Sequence, residues 1–281
     1  MSGTGHGERQ GTRERLRSLL PRSTVERIAA WRRRLRASSH AGDAVTCVLC
    51  GGSFSGFLPA GERHPIFERH DFVAGGNRPN VRCPRCDGRD RERLLQLFLQ
   101  QPEQARLLEG SSSILHFAPE RRLARFLRTT PARYVTADLD GVGVDRRIDV
   151  TDIPFEAATF DLVICNHVLE HVPDDRQALR EIGRVLEPDG VAIVQIPRAL
   201  DLETTFEDPS ITSEAQRIEI FGQFDHVRIY GRDYVQRLSS ADLQFEGWLP
   251  GKIERHRHGL DPRDPLMVGR LPPASTAGTG T

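Results

Sequence analysis

The chain has no uninterrupted apolar run of membrane-spanning length and no secretory leader, so no transmembrane segment is expected and a reducing, cytoplasmic setting fits best. It also lacks net charge. Its 39 basic residues balance 39 acidic ones, and bulk charge therefore gives it no general affinity for polyanions. Lysine is all but missing: Lys252 stands alone among arginines, a bias that reports coding composition more than chemistry. Cysteine is scarce, with five in 281 residues, and the length suits one domain of ordinary size plus an appendage.

Four of those cysteines are nevertheless arranged. Cys47-Val48-Leu49-Cys50 and Cys83-Pro84-Arg85-Cys86 are two CxxC knuckles, each closely followed by glycine. Together they offer the four thiolates that tetrahedral zinc takes, whereas CxxC is poor disulfide geometry outside redox folds. A closed four-thiolate site has no open coordination position, so the zinc would be structural, clipping a small module over residues 41–90 that has little core of its own. Cys165 lies in an apolar run and is expected to act as a small buried hydrophobe. Asp90 to Gln101 has the spacing of an amphipathic helix whose Leu94, Leu95, Leu97 and Phe98 would dock this module on the larger domain.

Residues 91–271 alternate strand and helix patterns. Strands are expected at Ser113–Phe117, at Tyr134–Asp138, ending near Asp149, at Phe160–Cys165 and at Gly190–Ile196. Helices are expected at Glu120–Arg128, as a short turn from His167, and at Asp175–Leu186. Such alternation calls for right-handed crossovers and an α/β fold with a parallel, doubly wound sheet, which binds its ligand beyond the carboxyl ends of the strands.

The set formed by Asp138, the segment DVTDIPF from Asp149 and FDLVICNHVLEHVPDD from Phe160 resembles the class I, S-adenosylmethionine-dependent methyltransferases over roughly residues 110–250. The resemblance implies a seven-stranded Rossmann-like sheet with an antiparallel final pair. It implies that Asp138 meets the ribose hydroxyls, Leu139 packs on the adenine, Asp149 and the Val150 backbone meet the adenine edge, and Asn166 passes the methionine end of the cofactor. One departure stands out. The family's glycine-rich first loop is here His116-Phe117-Ala118-Pro119-Glu120, without glycine. Either Ala118-Pro119 makes a different tight turn and Glu120 helps hold the cofactor's amino group, or the pocket is degraded and the domain only binds.

Methyl transfer asks the protein mainly to orient the acceptor and remove a proton. His226 and His167 are the candidate bases, expected to have ordinary pKa values near neutrality. The segment from Phe221 to Tyr230 falls where the family builds its acceptor lid. His167-Val168-Leu169-Glu170-His171 also spells the inverted zinc-protease motif, but that motif needs a long helix and proline follows within a few residues. On one helical face His167, Glu170 and His171, with His226, would form a second divalent site, as in metal-dependent O-methyltransferases. Alternatively they only brace the helix.

Residues 1–40 are arginine-rich, and Ile28, Trp31 and Leu35 form a stripe on a basic helix that would end near Ser38. This tail fits a solvated disordered segment, a helix touching a membrane surface or partner, or a nucleic-acid arm. Residues 272–281, small and polar, are expected to be disordered. The leading expectation is a methyltransferase for a small-molecule or carbohydrate-like acceptor, at oxygen. The alternatives are a zinc-ribbon RNA methyltransferase, against which no base-flipping loop follows the fourth strand, and a non-catalytic cofactor-binding protein.

Overall fold

The computed structural model describes residues 21–239 and 243–272. The expectations for residues 1–20 and for nearly all of the 272–281 tail lie outside them. Helix α1 (Arg22–Ser39) leads into β1 (Ala41–Cys47), β2 (Gly52–Phe54), β3 (Leu58–Ala60), α2 (Pro65–Arg69), β4 (Phe72–Val73) and β5 (Arg78–Arg82). β1 pairs with β2 and β3 with β5, both antiparallel. Val45, Phe54, Phe57 and the buried cysteines make the small core of this segment. The helix over residues 22–39 is one residue longer than the stripe suggested, and Arg36 fastens it by donating from Nε to the Pro84 carbonyl (2.9 Å) and by pairing with Asp87. Its Trp31 stays 60% exposed, so the apolar stripe is not what docks it.

Next come α3 (Asp90–Leu99), a 3-10 turn (Pro102–Leu108), β6 (Ser113–Phe117), α4 (Arg121–Leu127), β7 (Arg133–Asp138), β8 (Arg146–Arg147), β9 (Phe160–Cys165), α5 (Asp175–Val185) and β10 (Leu186–Ile193). The chain finishes through β11 (Arg198–Ala199), β12 (Phe206–Glu207), α6 (Glu214–Phe221), β13 (Arg228–Ile229), α7 (Tyr234–Leu238), β14 (Gln244–Trp248), α8 (Lys252–His258) and β15 (Leu266–Arg270). The seven-stranded sheet runs β14-β15-β10-β9-β6-β7-β8. Its pairs are parallel from β10 to β8, and β15 is antiparallel to both β10 and β14. This is the doubly wound arrangement with its switch point between β6 and β9.

The apolar runs fill both faces. Leu115, Phe117, Val163, Cys165 and Ala192 belong to one core, whereas Ile114, Leu162, Ile164, Val191 and Ile193 belong to the other. That two-sided burial is why β6, β9 and β10 read as near-continuous hydrophobic runs. Cys165 is fully buried, as its apolar setting suggested.

Three local expectations are corrected. The third strand lies at Arg146–Arg147, and Asp149 instead forms an isolated bridge to Asp152. The fifth strand starts at Leu186 and stops at Ile193, short of Ile196. No helix follows β9: His167 adopts a left-handed backbone (φ +53°), its N–H donates to the Gln195 carbonyl at 2.7 Å, and a tight turn carries the chain to Pro173. α5 then starts at Asp175, its first turn capped by the Asp174 carboxylate accepting from the Gln177 N–H (2.9 Å).

Candidate active site

Beyond the carboxyl ends of β6, β7 and β9 lies a cavity of about 700 Å³. Ala118, Asp138, Leu139, Asp149 and Val150 border it, as do His167 and His171. Five of the residues expected to meet the cofactor are thus brought to one space. Pro119, Glu120 and Asn166 are not among the residues lining it. Asn166, 3% exposed, donates from Nδ2 to Glu120 (3.4 Å) and accepts the Gln195 N–H on Oδ1 (3.3 Å). Glu120 also accepts from Arg91 Nε (3.1 Å) and faces His116 Nε2 (3.0 Å). Burial works to raise its pKa, but the His116 hydrogen bond and the charges of His116 and Arg91 outweigh burial and hold the carboxyl below its usual range.

The glycine-free loop resolves into one unusual residue. Ala118 sits at φ +43°, the region glycine takes freely, and its N–H donates to the Ala137 carbonyl (2.9 Å). The chain thereby bends after β6 at an alanine, the N–H extending the β6–β7 pairing by one bond. Asp149 Oδ1 accepts from the Thr151 N–H (2.8 Å) and hydroxyl (2.7 Å), an Asx turn that engages one of its two carboxylate oxygens.

A second cavity of about 320 Å³ adjoins the first. Its walls come from the turn after β9 (His167, Glu170, His171), from the exit of α6 (Gly222, His226), and from the cysteine-bearing segment (Gly61, Arg78). His167 and His171 border both cavities. His167 Nδ1 lies 3.2 Å from Glu170 Oε1, while His167 Nε2 and Glu170 Oε2 are buried without a hydrogen-bond partner among the described residues. His171 Nδ1 pairs with Asp225 (3.1 Å), and its ring meets that of His226 edge-on at 4.7 Å. Ligand atoms of Glu170, His171 and His226 lie within 4.8 Å of one another, so the second divalent set expected from the sequence reduces to these three, without His167.

The expectation of ordinary histidine pKa values is overturned. Burial, followed by the positive charges of Arg91, Arg78 and Arg89, holds His167 well below its usual value. Burial and the neighbouring His171 push His226 down to about 4, and burial raises Glu170 to about 8. All three are therefore uncharged around neutrality.

The segment assigned to a lid divides in two: Gly222, Gln223 and His226 line the smaller cavity, and its end at Arg228–Tyr230 is packed as a brace. Arg228, 3% exposed, donates to the carbonyls of Leu169 (2.7 Å), Val172 and Pro173 (2.8 Å), gripping the turn after β9. Tyr230 is fully buried, with its hydroxyl on Asp175 (2.7 Å). Nothing in the sequence marked Arg228 for this role, because a surface arginine and a carbonyl clamp look alike in one dimension. The four cysteines meet as their spacing requires: Cys47 and Cys86 Sγ atoms are 3.7 Å apart, Cys50 and Cys83 3.8 Å. Those separations match the edge of a tetrahedron with metal–sulfur bonds of about 2.3 Å.

Residues 113–194 match the family described as "Methyltransferase domain". The sarcosine/dimethylglycine N-methyltransferase of Halorhodospira halochloris is 29% identical over 144 residues, which are 46% of this chain and 47% of that protein. The chain thus spans about half the length of the curated relative it matches. Among solved structures, the YcgJ protein from Bacillus subtilis (14% identity, TM-score 0.40) covers 63% of this chain with 98% of its own. The PH0226 protein from Pyrococcus horikoshii OT3 (18% identity, TM-score 0.38) also covers 63%, with 87% of its own chain. Residues 113–194, which carry β6 to β10 and the turn between the two cavities, thus match a methyltransferase domain, and the seven-stranded sheet around them has a doubly wound, Rossmann-like order.

Proposed function

We propose that the protein is an S-adenosylmethionine-dependent methyltransferase acting on a small-molecule acceptor, and that His167 is its general base. The observation that carries this is the meeting of two cavities at His167 and His171, one bordered by the carboxylates expected for a nucleoside and the other without them. The larger cavity fits the cofactor: Asp138 and Asp149 supply carboxylates for ribose and adenine, and Ile148 and Val150 an apolar wall. When bound, S-adenosylmethionine supplies an electrophilic methyl group.

The protein's share of the chemistry is positioning and proton removal. With Nδ1–H donating to Glu170, His167 keeps a lone pair on Nε2 to take the proton that an attacking hydroxyl or amine must lose. Its depressed pKa keeps that lone pair free at neutral pH. The relative from Halorhodospira halochloris is named for transfer to nitrogen, so nitrogen stands beside oxygen as the acceptor atom. The four cysteines hold structural zinc in this reading, and the donor set is one that zinc accepts.

Calorimetry with S-adenosylhomocysteine tests the reading. The wild type should bind and Asp138→Ala should not. His167→Asn should bind normally, since asparagine tolerates the left-handed backbone at that position, while turnover falls about 100-fold or more. Unaltered cofactor affinity in Asp138→Ala would displace the site, and unaltered turnover in His167→Asn would remove the base.

A further inference from the structure

We infer, resting on the methyltransferase reading, that the smaller cavity takes an acceptor bearing an anionic oxygen group, a carboxylate or a phosphate, held by Arg89 with Arg78 and Arg91. The cysteine-bearing segment then supplies the wall that selects the acceptor as well as a structural clip.

Three guanidinium groups border this cavity: Arg78, Arg89 and Arg91. Two are already anchored. Arg78 makes a two-pronged contact with Asp90 (2.6 and 3.4 Å), and Arg91 pairs with Glu120 (3.1 Å). Arg89 forms no ion pair among the described residues. Arg78 also keeps a buried Nε with no hydrogen-bond partner, a donor left over in the wall of a polar cavity. A buried donor without a partner is costly unless a ligand satisfies it.

Asp90 and Glu120 compensate Arg78 and Arg91, which leaves Arg89 as the cation in excess at this wall. Glu170 Oε1 is engaged by His167 Nδ1 (3.2 Å), and Glu62 is exposed, as is Arg89, where solvent and salt screen both charges alike. Planar guanidinium forks suit carboxylate and phosphate oxygens better than neutral groups.

The wall itself is fixed in place. β4 pairs antiparallel with β11, Val73 opposite Arg198, so the cysteine-bearing segment is hydrogen-bonded to the strand just past Pro197, itself a cavity residue. Backbone forms part of the lining: a Cβ on Gly61 (φ +109°) would stand 1.8 Å from the Gly76 carbonyl oxygen. An acceptor anchored at the arginines would reach toward His167 and His171, where the two cavities meet.

The test is titration of inorganic phosphate and, separately, acetate into the full-length protein at constant ionic strength, with and without S-adenosylhomocysteine, followed by calorimetry. At least one anion should bind saturably to the wild type, and whichever binds more tightly names the group. Arg89→Gln should weaken that binding about tenfold or more, while Arg89→Lys keeps most of it and neither variant changes S-adenosylhomocysteine affinity. Absence of saturable anion binding, or equal binding by wild type and Arg89→Gln, overturns the inference. Failure to bind S-adenosylhomocysteine overturns the methyltransferase reading instead, and the anion titration without it still decides the present one.

Discussion

Ala118 holds a backbone angle that costs an ordinary residue on the order of 1–2 kcal/mol, and it does so on the rim of the larger cavity. The missing glycine in the first loop was legible in the sequence. Its consequence was not, because nothing local says whether an alanine will be forced into the left-handed region or the loop rerouted. The Ala118 N–H to Ala137 carbonyl bond and the parallel pairing of β6 with β7 impose the conformation from outside the loop. Ala118→Gly should therefore melt within about 1 kcal/mol of wild type, relief of strain being offset by a freer unfolded chain, and should retain S-adenosylhomocysteine binding. Ala118→Val should be clearly less stable and bind it more weakly, since a β-branched side chain resists positive φ and would project at the cavity rim. Thermal melts and calorimetry on the three proteins check this, and identical melting of all three would show that the loop carries no strain.

The turn between β9 and α5, braced by β13, gathers His167, Glu170 and His171 beside His226 and so couples the site to pH. Most strands of the sheet could be read from apolar runs because burial on both faces leaves a one-dimensional trace, and Phe160–Cys165 and Ser113–Phe117 fall where expected. The turn left no such trace. Its spacing of Glu170 and His171 suits a helix, and only tertiary contacts, the His167 N–H on Gln195 and Arg228 on three carbonyls, hold it otherwise. The same burial reverses the expected protonation. His226, at about 4 folded and near 6.5 unfolded, binds fewer protons in the fold between those values. Its contribution is complete above pH 6.5 and is lost progressively as pH falls toward 4, on the order of 2–3 kcal/mol. Glu170, raised to about 8, works in the opposite sense, its contribution complete below the unfolded carboxyl value and declining as pH rises through 8. Urea unfolding at pH 7 and pH 4.5 should show a smaller acid loss in His226→Asn than in wild type. Equal losses would mean that His226 is protonated in the fold.

Arg93 joins the two halves of the protein alongside the leucines of α3, which pack into one face's core as their pattern in the sequence suggested. It is fully buried, stacked 3.7 Å over Phe57, and donates to the carbonyls of Val81 (2.9 Å), Gly88 (3.3 Å) and His258 (2.8 Å). His258 Nδ1 in turn lies 2.7 Å from the Thr46 carbonyl, beside the first knuckle. The cysteine-bearing segment is thus tied to α3, α8 and β11, yet its own core is little more than Val45, Phe54, Phe57 and the thiols. Such a core holds its shape only if something binds the cysteines together. The sheet needs no such help, having apolar cores on both faces, and every residue lining its larger cavity lies between Phe117 and Asp225. Metal loss should therefore act on one cavity and spare the other. Purified protein should carry one zinc per chain by metal analysis, and Cys83→Ser/Cys86→Ser should carry none. In that variant S-adenosylhomocysteine affinity should stay within about threefold, as for a site whose contacts are untouched, while anion binding at Arg78, Arg89 and Arg91 is lost with its wall. Parallel loss of both would show that the segment and the sheet fold as one cooperative unit, and retention of both without zinc would show that the thiols need no metal to hold the wall.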